Sequence, residues 1–229
     1  MYKLLCDLFP YNRSITGDGV RETIKRISTE IPIEVSKFKS GTTVFDWTVT
    51  DEWNVKSAKI YDPSGKVIVD FDDNNLYLMS YSSSVDLIMP LNKLLEHIVT
   101  DESRPDWIPY STSYYNDNWA FCLPYNFVNA MIDGDYRIVI NSSKKSGELI
   151  YAESFIDNGA KKEVLISSYI CHPSMANDSL TGVVLAVHLY KELIKCDDLN
   201  YNYRFLFTPE TIGTICFLHK NRLDIKSNL

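Results

Sequence analysis

Glycine-rich phosphate loops, paired cysteines, basic runs and long apolar stretches are all missing from this sequence. No P-loop, dinucleotide glycine fingerprint or nucleophile elbow is present, and the chemistries built on those turns are set aside. Gly17-Asp-Gly19 alone carries no weight for phosphate. The formal net charge is -7 with no cluster of Lys and Arg, which argues against nucleic acid as a partner, because phosphate binding needs concentrated cations. No stretch approaches the roughly 20 apolar residues that cross a bilayer, so no membrane association is expected. The start, Met1-Tyr-Lys-Leu-Leu-Cys-Asp-Leu-Phe-Pro10, sets Asp7 inside its apolar stretch and lacks a small-residue cleavage site. It reads as an amphipathic helix and not as a signal peptide. Five cysteines, at 6, 122, 171, 196 and 216, are scattered without CxxC spacing. Reduced thiols in a cytoplasmic protein are the expectation, and cysteine-held zinc is not.

What the chain does have is material for a core. Its 229 residues are 45% hydrophobic and 13% aromatic, enough for one sizeable globular unit and room for a second. Val20, Ile24 and Ile27 fall on one helical face over 18–29. From residue 33 the pattern alternates with period two, and 41–145 reads as β-rich and turn-punctuated. Ala58–Tyr61 and Lys66–Phe71 flank Asp62-Pro-Ser-Gly65, a hairpin signal. Leu76–Tyr81 is expected as a further strand, and Pro90–His97 as a short helix. Beyond Gly147 the texture changes to strand, strand, helix, strand, helix. Glu163–Ile170 and Tyr203–Phe207 are apolar runs of the kind buried on both faces, with a helix carrying Leu180, Val183, Val184, Val187 and Ile194 between them. That spacing is a βαβ unit with a parallel strand pair.

In such a sheet, reactive groups gather at the carboxyl ends of the strands. One of the two expected strands runs into Cys171-His172-Pro173 and on to Asn177-Asp178, the other into Thr208-Pro209-Glu210-Thr211. If the strands are parallel, His172, Asp178 and Glu210 share an edge. An imidazole and a carboxylate can hold zinc with a position left for water, and a further carboxylate can take that water's proton. Each residue also has a plainer explanation. Asp178 precedes a helix start and would cap it, His172 would be a hydrogen-bonded loop histidine, and Glu210 would be an acid favoured by a helix dipole. His188, His219 and His97 read as packed or surface histidines. The aromatic segment Trp107–Tyr115 suits either a small-domain core or a substrate-facing surface.

Ser168-Tyr-Ile-Cys-His-Pro-Ser-Met-Ala-Asn-Asp-Ser-Leu-Thr-Gly182 resembles the metal-binding segment of the clan MH zinc aminopeptidases. Together with Arg13–Gly17 and Pro209–Gly213, it resembles more closely a group of bacterial aminopeptidase-like proteins with an inserted β-rich domain. The resemblance implies an α/β fold, a partial phosphorylase/hydrolase-like three-layer α/β/α sheet, divided as 1–40, an insertion at 41–145, and 146–229. It implies His172 and Asp178 as metal ligands and Glu210 as the general base. Arg13, Tyr114 and Tyr115 are implied as cleft-lining residues. Thr211 stands where the active enzymes carry a second acidic ligand, so one zinc ion is expected and not two. The remaining ligands would lie in later strands, which makes this chain an N-terminal portion. The function implied is hydrolysis of an amide bond in a peptide or an N-acyl small molecule. A non-catalytic binding or scaffold protein linked to polysaccharide biosynthesis, and a cyclising transferase, stay open beside it, as does self-association.

Overall fold

A computed structural model describes residues 1–228. In chain order the elements are α1 (Tyr2–Leu8), α2 (Asp18–Ser28), β1 (Glu34–Lys39), β2 (Thr43–Val44), β3 (Trp47–Thr48), β4 (Glu52–Tyr61), β5 (Val67–Asp70), β6 (Val85–Pro90), α3 (Leu91–Leu94), β7 (Ile98–Val99), β8 (Phe121–Cys122), α4 (Tyr125–Asn129) and β9 (Asp135–Lys145). They continue with β10 (Glu148–Ile156), β11 (Glu163–Tyr169), α5 (Thr181–Leu193), β12 (Asn202–Thr208) and α6 (Ile212–Asn228). The contacts divide these into two compact units, one formed by 1–52 with 146 onward and the other by Trp53–Lys145.

The first unit is built on a mixed sheet in the order β1-β10-β12-β11, antiparallel except for the β11–β12 pair. Alternation along β10 feeds both faces. Ile150 and Ala152 join Phe205 and Phe207 of β12 in a core that α1, α2 and α5 cover with Leu4, Leu8, Val20, Ile24, Ile27, Val183 and Val187. Leu149 and Tyr151 turn the other way, where the Tyr151 ring meets Phe217 of α6 edge-on at 5.7 Å. Helices therefore lie on both faces of the sheet. Phe205 and Phe207 are fully buried, each worth about 2–3 kcal/mol of transfer free energy. The i, i+4, i+7 spacing of Val20, Ile24 and Ile27 gives α2 its inner stripe, while Ile194 lies past the end of α5 and is exposed rather than packed.

Residues 41–52 sit with this unit. Gly41 N donates to Val49 O, Ser40 N to Gly147 O, and the Phe45 ring meets His219 of α6 at 5.3 Å.

The second unit carries a sheet in the order β5-β4-β9-β6. β4 and β5 form the expected hairpin, its turn closed by Asp62 Oδ1 accepting the backbone N–H groups of Ser64 and Lys66 and by Gly65 at φ 85°. The expected strand at Leu76–Tyr81 is not one. Asn74 accepts the Leu76 N–H with its side chain and starts a 3-10 turn at Asn75–Tyr77, and Tyr81 adopts φ 67°, which no strand tolerates. Only isolated bridges, Leu78 to Phe121 and Ser80 to Thr112, remain of it.

Candidate metal centre

The parallel pairing of β11 with β12 aligns their carboxyl ends, with Tyr169 opposite Thr208. Ile170 N donates to Thr208 O at 3.1 Å and extends the ladder one step further. Past that step both chains turn away, β11 into Cys171-His172 and β12 into Pro209-Glu210. A hydrogen bond from Glu210 N to Cys171 Sγ, 3.1 Å, joins the two turns. Burial pushes the Cys171 thiol up to about 12 and keeps it a neutral acceptor in this contact.

The structure brings His172, Asp178 and Glu210 together. Asp178 Oδ1 is 3.1 Å from His172 Nδ1, and Glu210 Oε2 is 3.1 Å from His172 Nε2. The imidazole is buried, with a side-chain exposure of 6%, whereas the two carboxylates are 65% and 47% exposed and open toward solvent. The plainer roles fit this geometry poorly. Asp178 does not cap α5, whose first turn has no side-chain cap, and its backbone is extended at φ -124°, ψ 87°. Its peptide bond to Ser179 is cis, and Ser179 Oγ donates to Tyr169 O. Glu210 precedes α6 and faces the ring.

A neutral imidazole has one N–H. With a carboxylate oxygen on each nitrogen, one of the two contacts sets lone pair against lone pair unless a cation or a second proton intervenes. One ring nitrogen, the Glu210 carboxylate and the Cys171 sulfur all lie within 4.8 Å of one another. A buried imidazole nitrogen, the Glu210 carboxylate and the Cys171 sulfur make a donor set that fits a divalent metal such as zinc, with Asp178 approaching the other ring nitrogen. Cys171 was not singled out from the sequence, although its place beside His172 was the signal that could have found it.

Other expected residues fall elsewhere. Arg13 does not line a cleft: it is 1% exposed, and its Nε donates to the His172 carbonyl at 2.9 Å. Burial lowers its pKa to about 10. Tyr114 and Tyr115 belong to the second unit, where Tyr114 packs edge-on against Tyr81 and its hydroxyl meets that of Tyr110 at 3.2 Å. His97 stacks on Trp119 at 3.9 Å, His219 packs on Phe38 and Phe45, and His188 is exposed on α5.

Residues 2–228 match the family described as Domain of unknown function (DUF4910). The chain belongs to the DUF4910 family. A Clostridium acetobutylicum relative, named as a candidate polysaccharide biosynthesis protein with an aminopeptidase-like domain, is 46% identical over 227 residues. The match covers 99% of this chain and 52% of that protein. A crystal structure of a candidate peptidase from the same organism superimposes with a TM-score of 0.95 at 46% identity, covering 99% of this chain and 54% of that one. This DUF4910 chain thus spans about half the length of the relatives it matches. At 10% identity the fold is shared with a peptidase M28 precursor of Shewanella amazonensis, TM-score 0.63, over 99% of this chain and 68% of that one. It is shared likewise with a zinc aminopeptidase of Bacillus subtilis, TM-score 0.56, over 95% and 63%. The mixed α/β fold of the DUF4910 chain is therefore that of the M28 peptidases and aminopeptidases. Among the described residues no helix is long and apolar enough to cross a membrane.

Proposed function

We propose that this DUF4910 chain supplies the metal and base residues of a zinc-dependent amide hydrolase. One observation carries the reading: the His172 ring is bracketed by two carboxylates at the carboxyl rim of a parallel strand pair. His172 and Asp178 would hold a single zinc ion. Bound there, zinc would supply polarisation of an amide carbonyl and acidification of a water molecule. Glu210, open to solvent at the rim, would accept the proton from that water and return it to the departing amine. Thr211, a hydroxyl of little use as a ligand, stands beside Glu210, which is why one ion is proposed. The substrate would be a peptide N-terminus or an N-acylated small molecule, the latter supported by the name of the clostridial relative. Scattered free thiols support a cytoplasmic setting.

Zinc content and release of free amine, from aminoacyl anilides and from N-acyl amino sugars, test this together. About one zinc per chain is expected, lost in His172→Ala. Glu210→Gln should keep the metal and lower kcat by at least about a hundredfold, within the usual range for a general base. A Glu210→Gln protein that loses zinc would make Glu210 a ligand instead of the base. Wild-type protein that takes up no zinc between neutral and mildly alkaline pH would leave a binding or scaffold role.

A further inference from the structure

Arg13 stands behind the proposed centre and not in front of it. Its side chain is almost wholly buried, and its Nη2 has no hydrogen-bond partner. No salt bridge to it is present among the described residues. Burying a guanidinium without an acid is costly, so the bonds it does make should hold something that matters. Those bonds run to two backbone carbonyls that are distant in sequence. Nη1 donates to Leu8 O, at the last residue of α1, and Nε donates to His172 O at 2.9 Å. Leu8 O also accepts the Tyr11 N–H at 3.2 Å, so Arg13 is the second donor on the carbonyl that ends α1. A second tie lies beside the first, because Ser174 Oγ donates to Phe9 O at 2.9 Å. Ser174 adopts φ 39°, a conformation that a non-glycine residue keeps only when its surroundings hold it.

The path of the chain around Arg13 is also fixed. A Cβ on Gly19 would lie 2.0 Å from Asn12 O, so only glycine lets the Asn12–Arg13 backbone pass so close to the first turn of α2. The Arg13–Gly17 run, buried at Arg13, Ser14 and Thr16, is thus wedged between α1, α2 and the 171–174 turn.

We infer that Arg13 is a positioning residue: its guanidinium clamps the His172 peptide to the end of α1, with Ser174 as a second tie, and so aims the imidazole between Asp178 and Glu210. As far as it concerns metal binding, this rests on the hydrolase reading; the aim of the ring does not. Orientation of a ligand by groups behind it commonly changes metal affinity by tenfold or more.

The test compares Arg13→Gln, Arg13→Lys and Ser174→Ala with wild type. Zinc affinity is read by competition with a chromophoric chelator, and the ring ¹⁵N resonances of His172 are read in metal-free protein. Arg13→Gln should bind zinc about tenfold more weakly with unchanged far-UV circular dichroism. Arg13→Lys keeps the charge but cannot reach both carbonyls with a planar fork, so it should recover only part of the loss. Ser174→Ala should weaken binding about threefold, as expected for one lost hydrogen bond. The His172 ring resonances should shift in all three. A folded Arg13→Gln protein with wild-type zinc affinity and unmoved ring resonances overturns the inference. If Arg13→Gln does not fold, unmoved resonances in Ser174→Ala do the same. Wild-type protein that binds no zinc removes the hydrolase reading, and the ring resonances of metal-free protein still decide the role of Arg13.

Discussion

Where Glu210 can stand is decided by its neighbours Thr208, Pro209 and Gly213. Thr208 is fully buried, and its hydroxyl donates to Pro209 O at 3.3 Å. Gly213 N donates to Pro209 O at 3.1 Å, which begins α6 directly over that turn. A Cβ at Gly213 would lie 2.1 Å from Thr208 Oγ1 and 2.6 Å from Pro209 Cδ, and neither atom belongs to a flexible side chain that could swing aside. Gly213→Ala must therefore lift the start of α6 and move Glu210 with it. Stability should fall by about 2 kcal/mol in urea denaturation, the usual cost of overpacking. Zinc affinity or turnover should fall beyond what the lost stability accounts for, since the displaced residue sits at the site. Wild-type stability in Gly213→Ala would mean that α6 begins elsewhere. Thr211, at φ 56°, belongs to the same turn, and its left-handed backbone lets the chain leave β12 and enter α6 within a few residues.

Helices α1, α2 and α5 are tied on their outer edge by charges. Arg26 of α2 bonds Asp7 of α1 at 3.0 Å and Glu30 at 2.8 Å, and Lys191 of α5 also bonds Glu30. Hydrogen bonds from Lys191 first, then Arg26, hold the Glu30 carboxyl down at about 2, below its ordinary 4.5. A carboxylate with a depressed folded-state pKa stabilises the fold above its unfolded value, and that contribution is lost as pH falls through the folded value. The window therefore runs from about pH 4.5 down to about pH 2. With a quarter of the Glu30 side chain and more than a third of Lys191 open to solvent, the pair is screened and contributes about 1 kcal/mol. Glu30→Gln should lower stability by about that amount at pH 7, and the gap to wild type should narrow below about pH 4.5 and close near pH 2. A gap unchanged across that range would show that the charge is not what ties the helices. These long-range pairs could not be read from the sequence, whereas the helices themselves could. Apolar spacing marked α2 and α5, and the two apolar runs marked β11 and β12 as a parallel pair, which set His172 and Glu210 on one rim. The turn at 75–77 was misread because a side-chain cap at Asn74 outcompeted β-prone neighbours, a contest that spacing alone does not register. Arg13 was misplaced for a related reason. The resemblance implied a cleft-lining arginine, and only the fold shows the two backbone carbonyls that its buried side chain satisfies.

On the scale of the whole chain, the two points at which the first unit is interrupted, after Glu52 and before Ser146, lie close together within that unit. Glu52, the last residue of the first segment, accepts the Glu148 N–H with its carboxylate at 3.2 Å. Its side chain fills the space above Gly147, where a Cβ would lie 2.4 Å from Glu52 Oε2 and 2.6 Å from its Cβ. Ser40 and Gly147 are joined by two further hydrogen bonds, Ser40 N to Gly147 O and Gly147 N to Ser40 Oγ, both 2.9 Å. Arg21 of α2 bonds Glu52 as well, so the exit point is anchored on a helix. The ends left by removing 53–145 thus already lie side by side, and a flexible linker of about four residues is long enough to join them. His172, Asp178, Glu210 and Arg13 all belong to the remaining unit, together with the core of Leu4, Val20, Ile150, Val187 and Phe205. A protein with 53–145 replaced by Gly-Ser-Gly-Ser should therefore fold cooperatively, with a dispersed amide spectrum, and bind zinc within about threefold of the intact chain, a difference of about 0.7 kcal/mol. If it binds zinc yet no longer cleaves amides that the intact chain cleaves, substrate recognition belongs to the excised unit, and Tyr114 and Tyr115 become the first residues to change. If it neither folds nor binds zinc, the two units depend on each other for stability, and the metal residues are not held by the first unit alone.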